Sequence, residues 1–260
     1  MGSWNTLHHF DDRKFYLEIV PDLKNDGQLL HKYFNSKFAK RILYRREDTI
    51  DKEIAEIIKF SRFLDKDFKL HETLYEIKTR EKNINESYTD FTKKLFQDER
   101  DFENANGEII ESINSLLTLI IFSECAAFNP HLILGRTIFT DCVMATPNST
   151  AEEIMDNFTN NGLGSIFYSS YSNCNGLINW VTNEDLQLLW LDKENIYSAD
   201  AETDNYFSDF CTFIEIALEN NLGVISGTNM NESTLKLIPS PLNLKIDVEE
   251  LGMEYVINYD

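Results

Sequence analysis

Asn220-Asn221-Leu222-Gly223-Val224-Ile225 is the stretch that decides the fold class of this 260-residue chain. Asn and Gly accept the left-handed backbone that ends a helix, and the apolar run behind them suits a strand. Upstream, Tyr206 to Glu219 sets Phe207, Phe210, Ile214, Ala217 and Leu218 on one helical face. The same order recurs at Asn160-Asn161-Gly162-Leu163-Gly164-Ser165-Ile166. There, Ser149 or Thr150 with Glu152 or Glu153 makes a capping box for a helix near 150–159. Two helix–turn–strand units are thus predicted, best read as one turn chemistry used twice. Other β-rich runs are Thr137–Ala145, Ser165–Ser169, Leu177–Val181, Leu186–Leu191, Thr234–Ile238, Leu244–Val248 and Tyr255–Tyr259.

Before Asn129-Pro130 the pattern is helical. Gly27 to Leu43 carries Leu29, Leu30, Tyr33, Phe34, Phe38 and Ile42 at helical spacing, and Asp48 or Thr49 caps a helix with Ile50, Ile54, Ile57 and Ile58 on one face. Leu70, Leu74, Ile77, Glu81, Ile84, Tyr88, Phe91, Leu95, Asp98 and Phe102 follow 4-3 spacing, which predicts a long helix over 70–102. Its seam serves either an intramolecular hairpin or a homo-oligomer. Residues 108–128 form a helix apolar nearly all round, suited to a central position. The expected architecture is α+β: a mainly helical subdomain 1–130 packed against an acidic α+β subdomain 131–260 with a mixed sheet. The two form one compact unit, because the seam near 129–136 lacks a Gly/Ser/Pro-rich linker.

Charge divides the chain in the same way. Residues 1–100 carry 20 Lys+Arg against 19 Asp+Glu, whereas residues 101–260 carry 4 against 25. An acidic surface of that kind repels nucleic acid and speeds encounter with a basic protein. Apolar residues are 42% of the chain, enough for a core, yet the longest uninterrupted apolar run (Leu119-Ile120-Ile121-Phe122) is far too short for a bilayer. No basic-then-apolar leader opens the chain, and Cys125, Cys142, Cys174 and Cys211 stand far apart without a C-x-x-C. Reduced thiols and a cytoplasmic location are the expectation. Asn and Ile number 25 each against 10 Ala, a bias of AT-rich coding that points to a bacterium or phage.

Catalytic motifs are few. Phosphate-cradling glycine loops and a nucleophile elbow are absent, and no cofactor is expected. His71-Glu72 opens like a zinc-protease helix, but Tyr75 takes the place of the second histidine, so no metal is expected there. Pro21-Asp22 with Glu76-Ile77-Lys78 has the residue types of a nuclease carboxylate–lysine set, but Glu76 and Lys78 fall in the long heptad helix rather than on a strand beside Asp22. Asp200, Glu202 and Asp204 alternate as in a calcium loop, but Asn205 and Cys211 stand where Gly and a bidentate Glu belong.

The best binding surface runs from Trp190 to Asp209. Asp192, Glu194, Asp200, Glu202, Asp204 and Asp209 are opposed only by Lys193, and Trp190, Tyr197 and Tyr206 are interleaved with them. Large aromatics beside unpaired carboxylates suit a hot spot for a basic protein. The positive counterpart is Lys37, Lys40, Arg41, Arg45 and Arg46 at the end of the first long helix, an anion or partner patch or simply cations matched to a helix C-terminus.

The opening Met1-Gly2-Ser3-Trp4 with Phe10-Asp11-Asp12 resembles the start of a family of small bacterial proteins of uncharacterised function that begin MG[ST]WG. The resemblance covers about twelve of the 260 residues and departs at Asn5, where Gly is usual. It implies a packed Trp4 and a native Gly2-Ser3, and no functional residue. Read on their own, Met-Gly-Ser also fits a cloning remnant and the M-G-x-x-x-[ST] myristoylation pattern. Trp4 and Phe10 are expected to anchor the segment, with His8, His9, Asp11 and Asp12 turned to water.

These readings converge on a non-enzymatic bacterial binding protein, most concretely an immunity protein or inhibitor against a basic partner such as a nuclease toxin. The rival expectations are a hydrolase whose Asp/Glu pair assembles in the fold and a structural subunit oligomerising through 70–102.

Overall fold

The computed structural model describes residues 5–25, 27–39, 58, 116–133, 143–158, 176–199 and 204–244. The fold is α+β. Its main sheet has four strands in the order β2-β1-β6-β4: β1 is Asn5–Phe10, β2 Ala126–Ile133, β4 Gly176–Val181 and β6 Gly223–Thr228. Strands β3 (Val143–Ala145) and β5 (Ile196–Ser198) make a separate two-stranded ribbon.

Helices cover both faces of the sheet. On one side lie α1 (Asp12–Lys14), a π-helical turn (Phe15–Ile19), α2 (Val20–Lys24), α3 (Gln28–Phe34) and α4 (residues 116–124). Their apolar side chains meet Phe10, Leu177, Trp180 and Ile225 from the sheet, joined by Leu235 of α8 (Glu232–Leu235). On the other side α5 (Thr150–Asn157), α6 (Asn183–Leu191) and α7 (Asp204–Glu219) pack on Leu7, Leu132, Val181 and Val224. A strand covered on both faces has no wet side, so β1 is buried along its whole length.

The deciding turn forms as its composition predicts. Helix α7 ends with Asn221 at φ 55°, Leu222 N–H bonded to the Ala217 carbonyl (2.8 Å) and Asn221 N–H to that of Leu218 (3.1 Å). This is the Schellman pattern, and Leu222 shares the core with Ala217. The chain then enters β6, which pairs with β1 and β4. The Ser149 cap also forms: its Oγ accepts from Glu152 N (3.0 Å), while the Glu152 carboxylate reaches Asn148 N (2.6 Å).

Other expectations are corrected. Every described strand pair is antiparallel rather than mixed. Between β4 and β6 the described residues form α6, a 3-10 turn, β5 and α7 rather than a single crossover helix of the kind that makes parallel neighbours. Strand β2 (Ala126–Ile133) enters the seam expected near 129–136, and β1 lies inside the sheet, so the described parts of 1–130 and 131–260 share one sheet. His8 and His9 are wholly buried and Asp12 nearly so, against their expected exposure. Each finds hydrogen bonds inside: His8 with Phe128 O and Thr6 Oγ1, His9 with Phe213 O, Asp12 Oδ2 with Asn183 N.

Leu186–Leu191 is helical, capped by Thr182 Oγ1 accepting from Asp185 N (3.2 Å), and the Thr234 region is helix α8 and a turn. Leu-rich runs serve either period, and here the cap decides. Of the helix expected over 108–128, residues 116–124 are helical and β2 takes over at Ala126, while 108–115 lie outside the described residues. The helix begun at Gly27 stops at Phe34, because Asn35 Nδ2 takes the His31 carbonyl and Ser36 Oγ caps Ala39 N. The helical run 12–24 was unmarked by the apolar periodicity. Its π-helical turn precedes Pro21, and widening there relieves the clash of the proline ring with the preceding turn.

Trp4, the cap at 48–49, the seam 70–102 with His71, Glu72, Glu76 and Lys78, the 160–166 turn, Ser165–Ser169, Cys142, Cys174 and Tyr255–Tyr259 lie outside the described residues. So do Thr137–Cys142 and all of Leu244–Val248 but Leu244.

Candidate functional site

The acidic, aromatic surface is carried by α6, a 3-10 turn (Lys193–Asn195), β5 and α7. Helix α6 buries Leu186 and Leu189 and turns Glu184, Leu188 and Leu191 outward at i, i+4, i+7 spacing. Leu191, 83% exposed, is the most open large apolar side chain among the described residues. The turn exposes Lys193 and Glu194, and β5 then presents Tyr197 opposite Met144 of β3, both open to water. Tyr206 stands exposed near the start of α7.

The predicted residues divide into those that face water and those the fold uses. Glu194, Tyr197 and Tyr206 are exposed. Trp190 is half-buried against the α5–α7 core, and the Lys193 ammonium lies 4.7 Å from its ring centre. Asp192 is spent on structure: Oδ2 accepts from Ala151 N at the first turn of α5 (2.9 Å) and Oδ1 from Asn195 Nδ2 (2.7 Å). Those bonds hold its carboxyl below the ordinary value. Asp209 is half-buried on α7, and partial burial pushes its carboxyl up. Asp200 and Glu202 lie outside the described residues, as does the side chain of Asp204.

Sequence reasoning missed Glu184, Leu188, Leu191 and Met144. The signal for the first three was the Thr182-Asn183-Glu184-Asp185 start, which marks a capped helix and so converts Leu186–Leu191 from alternation to a helical stripe.

Of the basic patch, Lys37 is exposed beyond α3 with its ammonium 4.9 Å from the Phe38 ring centre. Lys40, Arg41, Arg45 and Arg46 lie outside the described residues. Nearby, Glu124 at the end of α4 gathers Lys32 (2.6 Å), Lys14 (3.3 Å) and the Tyr33 hydroxyl. Burial works against the Glu124 charge, but hydrogen bonds from Lys32, Tyr33 and Lys14 hold its carboxyl below the ordinary value. This network ties α1, α3 and α4 together. Asp22, the nuclease-like carboxylate, accepts from Gln28 N (3.1 Å) and Leu29 N (2.9 Å) and so caps α3.

Among the described residues no three His, Cys, Asp or Glu side chains converge to hold a metal ion, and no helix is long and apolar enough to cross a membrane. An antiparallel sheet between two helical layers, with an acidic apolar-studded flank, is the class of molecule defined by fold and surface. No family model, curated protein or solved structure matches the chain.

Proposed function

We propose that this chain is a non-enzymatic binding protein, most concretely a bacterial immunity protein or inhibitor that neutralises a basic protein such as a nuclease toxin. The observation that carries the reading is the composition of one stretch of the chain. Residues 183–219 hold ten Asp and Glu against Lys193 alone. Leu188, Leu191, Tyr197 and Tyr206 of the same stretch stand exposed, as do Glu184 and Glu194. Exposed apolar and aromatic side chains anchor an interface, and a one-signed rim steers a partner of opposite charge. Lys193, the one cation of that stretch, offsets a single one of these charges.

Capture from the native host identifies the partner, which is expected to be basic. Association is then followed for the Glu184→Lys/Glu194→Lys pair. Both side chains are exposed, so the fold tolerates the change. The on-rate is expected to fall about ten-fold at an ionic strength of about 0.01 M and to recover near 0.3 M. An on-rate that ignores both the reversal and the salt overturns the assignment.

A further inference from the structure

His8 of β1 and His131 of β2 are paired directly across the two strands, with ring centres 5.3 Å apart. Both are buried, enclosed by Phe128 and Phe122: His8 lies 4.9 Å from each ring, and Phe128 lies 5.2 Å from His131. Two residues further along β1 the register jumps, Phe10 opposing Ala126, so β2 bulges over the intervening stretch.

One oxygen orders both rings. The Phe128 carbonyl stands 3.0 Å from His8 Nδ1 and 3.2 Å from His131 Nδ1. A carbonyl only accepts, so each Nδ1 carries the proton of a neutral imidazole and donates to it. His131 Nδ1 also meets Asn129 Oδ1 at 3.1 Å. His8 Nε2 then accepts from Thr6 Oγ1 (2.9 Å), and His131 Nε2 is buried with no hydrogen-bond partner. The bonds that the two rings make suit their neutral forms, and for His8 burial outweighs the Phe128 and Ala127 carbonyls, which favour its charged form. A second proton on His8 would require the Thr6 hydroxyl to turn, and one on His131 would point at no acceptor. Either places a charge against the facing imidazole.

Among the described residues no carboxylate bonds to either ring to offset such a charge. Strand β6 contains no ionisable side chain. Helix α4 ends in Glu124, which is held by Lys14, Lys32 and Tyr33. The neighbouring His9 projects to the opposite face, onto Phe213. Helix α7 offers Asp209, Cys211, Glu215 and Glu219, and none of them bonds to either ring. In the described sheet β2 pairs only with β1, so it can leave while β1, β6 and β4 remain joined.

We propose that the facing His8–His131 pair makes the β1–β2 joint an acid-operated latch: neutral rings hold β2 on the sheet, and proton uptake releases it. Burial lowers the His8 imidazole well below its ordinary value and brings that of His131 to about 4 from 6.5. The open form therefore takes up protons first as pH falls. The latch is closed in full above about pH 6.5 and weakens progressively below it.

Hydrogen–deuterium exchange on the full chain, corrected for intrinsic rates, reads the latch. Between about pH 7 and pH 5, protection of residues 126–133 is expected to fall about ten-fold per pH unit for each proton taken up, while 176–181 and 223–228 keep theirs. His131→Phe, which cannot titrate, should flatten that slope. Should His131→Phe fail to fold, imidazole ¹⁵N shifts of the unmodified chain decide. His8 and His131 must stay neutral wherever β2 is protected. Either ring titrating near 6.5 with β2 still protected overturns the latch, as does loss of protection from all strands together or none.

Discussion

His9 lies on the other face of β1 and isolates what burial does to one titrating group. Its ring stacks on Phe213 with centres 4.0 Å apart, Nε2 donates to the Phe213 carbonyl (3.2 Å), and Nδ1 is buried with no hydrogen-bond partner. Burial brings its imidazole to about 4 from 6.5. Because the folded value is the lower one, the unfolded chain binds the proton first, and stability contributed at neutral pH is lost as pH falls from about 6.5 to 4. The loss from this ring should be about 2 kcal/mol by pH 5 and about 3 by pH 4. Urea unfolding of His9→Gln should show a shallower decline than the unmodified chain over that interval, and parallel declines would refute the assignment. These histidines were not readable as core residues from the sequence, since histidine is of intermediate burial as a residue type and His8-His9 stand close to Asp11-Asp12. What buries them is contributed by Phe122, Phe128 and Phe213, more than a hundred residues away.

Elements were readable where local chemistry closes on itself. The α7 turn and the α5 cap need only residues within one turn of helix, so their Asn, Gly, Ser and Glu announce them. The central place of β1, the antiparallel order and the helical state of Leu186–Leu191 depend on partners elsewhere in the chain, and periodicity alone does not supply those. The surface was readable in part: Tyr197, Tyr206 and Glu194 are exposed, whereas nothing about Asp192 as a residue type says that it caps α5. Removing the Ser149 cap by Ser149→Ala should cost about 1 kcal/mol, read by denaturant unfolding. Gly223 presents a harder constraint at the start of β6. A Cβ there would run into the carbonyl oxygen of Val181, and it would come within 3.2 Å of Thr182 Cα and 3.3 Å of Asn183 N. All three are backbone atoms of the β4–α6 junction, which cannot swing aside as a side chain does. Gly223→Ala should therefore destabilise by about 1–3 kcal/mol, and a neutral outcome would mean that the junction is looser than its hydrogen bonds imply.

At the scale of the whole molecule the net charge of −20 acts against the fold that carries it. Residues 101–260 hold 25 Asp and Glu against 4 Lys and Arg, so the acidic side chains of the later part of the chain repel one another. Screening should relieve this. Raising sodium chloride from about 0.01 M to 0.3 M shortens the Debye length from about 30 Å to under 8 Å and should lift the thermal midpoint by a few degrees. The Glu184→Lys/Glu194→Lys pair changes the net charge by two units at each site, from −20 to −16. If the acidity exists for a basic partner, stability and binding must then move in opposite directions. The variant should melt higher than the unmodified chain at low salt and lose that advantage at high salt, while its association slows. A variant no more stable at low salt would show that these charges already sit in balanced surroundings. The self-repulsion argued here for the acidic surface would then be wrong.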